Sequence, residues 1–202
     1  MNPQNEDITL FQALNAGYKR DLGKAEKKLA KHGYAVDREL SNERERVVAY
    51  NKDKGKILFI ENGTDPSSMK DLKTDFGLGL GKLPQDKRIA NAKEALVKAK
   101  EKYNAVNGTV LVGHSMGGSV VNKIAGGGDK AITYNAGFTL GEKARPNVTH
   151  YRTRGDVVSL LAPTTPNTKV LENTNKGTSG VQHLLKTHEL ANIQNEGIFV
   201  DK

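Results

Sequence analysis

One segment constrains this chain more than any other: Val110-Leu111-Val112-Gly113-His114-Ser115-Met116-Gly117-Gly118, with a helix-compatible run from Ser119 to Ala125 after it. The run from Thr109 to Val112, apolar after its first residue, suits a parallel strand buried on both faces of a sheet. Gly113 and Gly117 lack the Cβ atoms that would collide as the chain reverses from strand into helix. The turn therefore forms a sharp elbow that projects a strained Ser115 above the C-terminal edge of the sheet. A serine hydroxyl becomes a nucleophile when it is exposed, close to a base and beside donors for an oxyanion. The first-turn N–H groups of the following helix point toward such a serine, so the N–H of Met116 is a candidate oxyanion donor.

The rest of the chain agrees with an α/β architecture. Phe11, Leu14, Tyr18, Leu22, Ala25 and Leu29 fall on one face of a 3.6-residue period, which predicts a helix of about 25 residues that Gly33 stops. Three strands follow, Tyr34–Leu40, Arg46–Asn51 and Lys56–Glu61, the last two joined by a turn in which Gly55 supplies a positive φ. The chain thus opens with an antiparallel meander. A second amphipathic helix is predicted from Asp86 to Tyr103, with Ile89, Ala92, Leu96, Ala99 and Tyr103 on one face, and strands at Ala131–Tyr134, Val148–Arg152 and Lys169–Glu172. Strand and helix in alternation imply an open, mostly parallel sheet with helices on its faces. No internal repeat or long linker divides the 202 residues, so one domain is expected, with residues 1–33 packed on a body of residues 34–202.

Composition excludes other classes. There is no cysteine, hence no disulfide framework and no thiolate metal site. No apolar run approaches the roughly 18–20 residues that span a bilayer, and residues 1–7 do not read as a secretory signal, so a cytoplasmic location is the default expectation. Packaging or export by another route stays open. Asn62, Asn107 and Asn147 match the glycosylation pattern, two of them beside core strands, and are read as chance. The net charge is +8, which permits attraction to an anionic membrane surface. The few aromatic residues do not interleave with Lys and Arg, so no specific nucleic-acid binding is expected. No metal-ligand spacing occurs, and Gly77-x-Gly-x-Gly81 lacks the strand-then-helix setting of a dinucleotide loop. No cofactor is expected. That glycine run is instead a candidate cover over a pocket.

Gly113-His-Ser-Met-Gly-Gly118 and the segments around it resemble the class 3 (fungal-type) lipases of the α/β-hydrolase superfamily, a likeness extending over roughly residues 34 to 195. Upstream, Ile57-Leu-Phe-Ile-Glu61-Asn62-Gly63-Thr64 and Asp71-Leu-Lys-Thr-Asp75-Phe76 stand where the family has a strand ending in an Arg-Gly-Ser/Thr turn and an Asp-Trp-x-x-Asp-like segment. The resemblance implies an α/β-hydrolase fold and places Thr64 as an oxyanion donor. Glu61-Asn62 replaces the family's Phe-Arg, and Leu72 its Trp.

The superfamily's chain order of Ser, then Asp, then His leaves Asp129, Asp156 and Asp201 as candidates for the acid. Asp156, in Arg154-Gly-Asp156-Val-Val-Ser-Leu-Leu161 after a strand, matches the family's Asp-x-Val-x-x-Leu segment, whereas Asp129 precedes its strand at the wrong edge. For the base, His188-Glu-Leu-Ala-Asn-Ile193 follows the family's helix-opening His-x-Leu-x-x-Tyr with Thr187 as a possible cap, and His183 is the alternative. His114 is expected to turn its ring away from Ser115; His32 and His150 have no catalytic context. The implied function is hydrolysis of carboxylic esters of the lipase, phospholipase or esterase kind, acting on a lipid or small ester through Ser115, His188 and Asp156. The alternative is a catalytically inactive hydrolase fold serving as a structural or interaction component.

Overall fold

Alternate residues of the central strands serve two separate cores, and that division organises the molecule. The computed structural model describes residues 7–18, 20–63, 86–138, 142–159, 164–174 and 186–201. Among these, seven strands form one sheet in chain order: β1 (Ala35–Val36), β2 (Arg46–Asn51), β3 (Lys56–Glu61), β4 (Thr109–His114), β5 (Lys130–Tyr134), β6 (Val148–Thr153) and β7 (Thr168–Leu171). β1 to β3 pair antiparallel and β3 to β7 pair parallel. This is the α/β-hydrolase-like sheet with an antiparallel opening that the sequence predicts.

Ile57, Phe59 and Leu111 point to one face and Leu58, Ile60, Val110 and Val112 to the other. A central strand buried on both faces has no polar side to show, which is why β3 and β4 read as unbroken apolar runs. Helix α3 (Asp86–Tyr103) connects β3 to β4, and α4 (Met116–Ile124) connects β4 to β5. Crossovers of one hand between strands added in one direction fall on one face. Ala92, Leu96 and Ala99 of α3 accordingly share a core with Val120, Val121 and Ile124 of α4. The face they leave bare is covered by α1 (Leu10–Gly17), α2 (Leu22–Leu29) and the C-terminal Ile193 and Val200. Leu10, Leu14 and Leu29 are fully buried there, each stabilising the fold by about 1.5–3 kcal/mol.

Several boundaries differ from expectation. The single N-terminal helix is two: Arg20 takes a φ of 46° and Asp21 accepts from the Lys24 N–H at 3.0 Å, so a new helix starts there. A side-chain cap competes with helix continuation, and the apolar period carries across the break without requiring an unbroken rod. The first strand shrinks to two residues because Asp37 folds its side chain onto the N–H groups of Glu39 and Leu40, making a turn. Helix α4 starts at Met116, three residues before Ser119, because Ser115 itself is its N-cap position. Gly55, at φ 57°, closes the β2–β3 hairpin as expected.

Candidate active site

Ser115 sits where β4 ends and α4 begins, with φ 55° and ψ −125°. A non-glycine residue held there is strained, and surrounding bonds must over-determine it. They do: the Ser115 N–H donates to Tyr134 O at 3.1 Å, and its carbonyl accepts from Gly118, Ser119 and Gly137 at 3.0, 3.3 and 3.1 Å. Close packing explains the glycines on either side. A Cβ on Gly113 would lie 2.4 Å from Gly117 O, and one on Gly117 would lie 2.2 Å from Glu61 O. Helix and strands meet with no room for a side chain. Ser115 is 5 % exposed.

Asp156 follows β6 through the Arg154–Gly155 turn, and its Oδ1 lies 2.9 Å from His188 Nδ1. Its Oδ2 accepts from the Ser159 N–H at 2.9 Å. Burial works against the Asp156 carboxylate, but the bonds from His188 and Ser159 outweigh it and hold the group below the ordinary aspartate range. With an ionised acceptor opposite, His188 carries its proton on Nδ1, leaving a lone pair on Nε2. That Nε2 is buried and has no hydrogen-bond partner among the described residues, Ser115 included.

His188 does not open a helix as the sequence suggested. Residues 186–188 are helical, Glu189 is extended at ψ 152°, and a 3₁₀ turn follows at Leu190–Ile193. The break leaves main-chain carbonyls that side chains take up. Asn135 Nδ2 donates to Thr187 O at 3.2 Å, Asn192 Nδ2 to Lys186 O at 2.8 Å, and Tyr134 Oη to Glu189 O at 3.2 Å. The Thr187 hydroxyl accepts from Asn173 Nδ2 at 2.8 Å.

His114 occupies the space behind this pair. Its Nε2 lies 2.8 Å from the carbonyl oxygen of His188, which can only accept, so Nε2 carries the proton and Nδ1 accepts from the Tyr18 hydroxyl. The Tyr18 oxygen packs against Gly63, where an added Cβ would lie 2.0 Å from it. Burial, reinforced by the neighbouring His188, pushes the His114 imidazole down to about 3, so it stays neutral.

The remaining predicted residues distribute as follows. Met116 is the first residue of α4. Thr64, His183 and the Gly77–Gly81 run lie outside the described residues. Asp129 pairs with Lys100 at 2.6 Å before β5, and Asp201 with Lys54 at 2.7 Å. His150 is buried, with Nδ1 2.7 Å from Thr133 Oγ1. The sequence reading missed Tyr18, Asn135 and Ser159; only the dense polar run at the end of β5 hinted at Asn135. Among the described residues no group of three or more His, Cys, Asp or Glu could hold a metal, and no helix is long and apolar enough to cross a membrane.

No family model and no curated protein sequence matches this chain. Solved structures do. The Rhizomucor miehei lipase in its propeptide complex superposes with a TM-score of 0.55 at 12 % identity, over 96 % of this chain and 80 % of that one. The Rhizomucor miehei triacylglyceride lipase gives 0.52 at 11 %, over 82 % and 78 %. Lip2 lipase from Yarrowia lipolytica gives 0.50 at 14 %, over 78 % and 77 %. At these identities the likeness is one of fold: the chain has a fungal-lipase-like α/β-hydrolase fold.

Proposed function

We propose that the protein is a serine hydrolase that cleaves carboxylic esters through Ser115, His188 and Asp156. The observation that carries this reading is the buried 2.9 Å contact between His188 Nδ1 and Asp156 Oδ1, with Nε2 unpartnered among the described residues, at the same sheet edge as the strained Ser115 elbow. The reading requires the Ser115 hydroxyl to reach Nε2 in the substrate complex; catalytic hydrogen bonds commonly tighten only when substrate is bound. His188 then takes the hydroxyl proton as Oγ bonds to the ester carbonyl carbon. Asp156 holds the imidazole in its tautomer and steadies the imidazolium. The tetrahedral oxyanion lies toward the N–H of Met116 and toward Thr64, the latter assigned by sequence resemblance alone. His188 returns the proton to the departing alcohol, and water, activated in the same way, releases the acid from Ser115.

The substrate class is an acyl ester, lipid or small. A net charge of +8 favours one presented on an anionic surface. Hydrolysis of p-nitrophenyl esters of increasing chain length tests this, with kcat/KM rising as a single basic group loses its proton. Addition of anionic vesicles should raise turnover of the long chains at low salt. No hydrolysis of any chain length would overturn the proposal in favour of an inactive fold.

A further inference from the structure

β3 closes on a charged residue in the driest part of the sheet. Ile57 to Ile60 are fully buried and apolar, and Glu61 after them is equally buried. A lone carboxylate there would be strongly unfavourable, so it must be paired. Two arginines meet it. Arg46, opposite Glu61 in the β2–β3 register, brings Nε to 3.2 Å from Oε1. Arg88, in the first turn of α3, places Nη2 and Nε at 2.8 and 3.2 Å from Oε2. The same Arg88 Nη2 also donates to two main-chain carbonyls, Glu45 O at 3.2 Å and Asn62 O.

What that backbone touches matters more than the ion cluster itself. The Asn62 N–H donates to Glu45 O at 2.8 Å. The carbonyls of Glu61 and Asn62 press on the first turn of α4, where a Cβ on Gly117 would come within 2.2 and 2.5 Å of them. One residue on, a Cβ on Gly63 would lie 3.0 Å from Ser115 Cβ. The Tyr18 oxygen also closes on Gly63, lying 2.0 Å from where that Cβ would stand. From Glu61 to Gly63 the chain is therefore wedged against the Ser115 elbow, and Arg88 grips it from the outer side.

We propose that Arg88, locked by the Glu61 carboxylate, is a positioning residue that sets the Asn62–Gly63 backbone against Ser115 and so the oxyanion side of the site. The inference rests on the ester-hydrolase reading above. It separates from a purely structural role, because a buried ion cluster can often be replaced by well-packed apolar residues without loss of stability. An apolar replacement cannot donate to Asn62 O.

The test measures kcat and KM on p-nitrophenyl butyrate together with the urea midpoint. The variants are Arg88→Met, Arg88→Lys and the combined Arg46→Met, Glu61→Leu, Arg88→Met. Arg88→Met should lower kcat about tenfold to hundredfold, as small misplacements do, with KM changed less than about twofold. Arg88→Lys keeps the charge but not the planar fork, and should lower kcat in the same sense if the methionine variant fails to fold. The combined variant should regain the urea midpoint and not kcat. Wild-type kcat in Arg88→Lys, or recovery of kcat along with stability in the combined variant, overturns the inference alone. Absence of any wild-type turnover that Ser115→Ala abolishes removes the hydrolase reading and this inference with it.

Discussion

His114 and His188 lie with ring centroids 4.6 Å apart, and their hydrogen bonds divide in opposite ways. His114 spends both nitrogens, one on Tyr18 and one on the His188 carbonyl, and burial keeps it neutral. His188 spends one nitrogen on Asp156 and leaves the other without a partner among the described residues. A ring with both nitrogens committed can brace a loop but cannot accept a proton without breaking a bond. The ring with one nitrogen oriented and one available has the arrangement that general-base work needs. Two adjacent side chains of the same type are thus divided by their partners, not by their chemistry.

That contrast can be broken by experiment. His188→Ala should lower kcat on the order of 10⁶-fold, as loss of the base does in a working triad. Asp156→Asn preserves shape but changes the tautomer His188 adopts, and a fall of about 10⁴-fold is expected in steady-state kinetics. His114→Gln should act on the fold first. Urea titration should show a loss of about 1–3 kcal/mol from imperfectly satisfied buried partners, with kcat reduced less than roughly tenfold. A kcat loss in His114→Gln as large as that in His188→Ala would erase the distinction.

A further effect is one of pH. His114 is pushed down to about 3 and His150 to about 4, in both cases chiefly by burial. Above the unfolded value near 6.5 neither state binds these protons. Below it the unfolded chain takes them up and the fold refuses them. Stability should therefore fall by about 1.4 kcal/mol per pH unit for each histidine as pH drops from about 6.5 toward those values. Urea midpoints between pH 7.5 and 5.5 should show the slope, and His114→Gln should reduce it.

Sequence pattern was most informative where one interaction type dominates. β2 and β3 have the bounds their hydropathy predicts, and α3 ends at the predicted Tyr103, because burial of the apolar positions dominates there. The Ser115 elbow was legible because steric crowding permits only glycine at 113 and 117. Local competition hid the break at Arg20–Asp21: a side-chain cap outweighed one more helical turn, and the apolar period is blind to such a cap. Pairings across long chain distances were also hidden. Tyr18 lies 96 residues from His114, and Glu61 27 from Arg88. An acidic residue ending an apolar strand signals that a buried partner must exist, not which arginine supplies it. For the histidine loop, spacing pointed to His188, while the helix expected to begin there gave way to carbonyls captured by Asn135 and Asn192.

Mapping a fluorophosphonate adduct by mass spectrometry reaches the central claim most directly, since the reagent reports a serine activated by a base. A single adduct on Ser115, lost or greatly slowed in His188→Ala at equal exposure, is the expected result. An adduct on another residue, or Ser115 modified at an unchanged rate without the His188 imidazole, would contradict it.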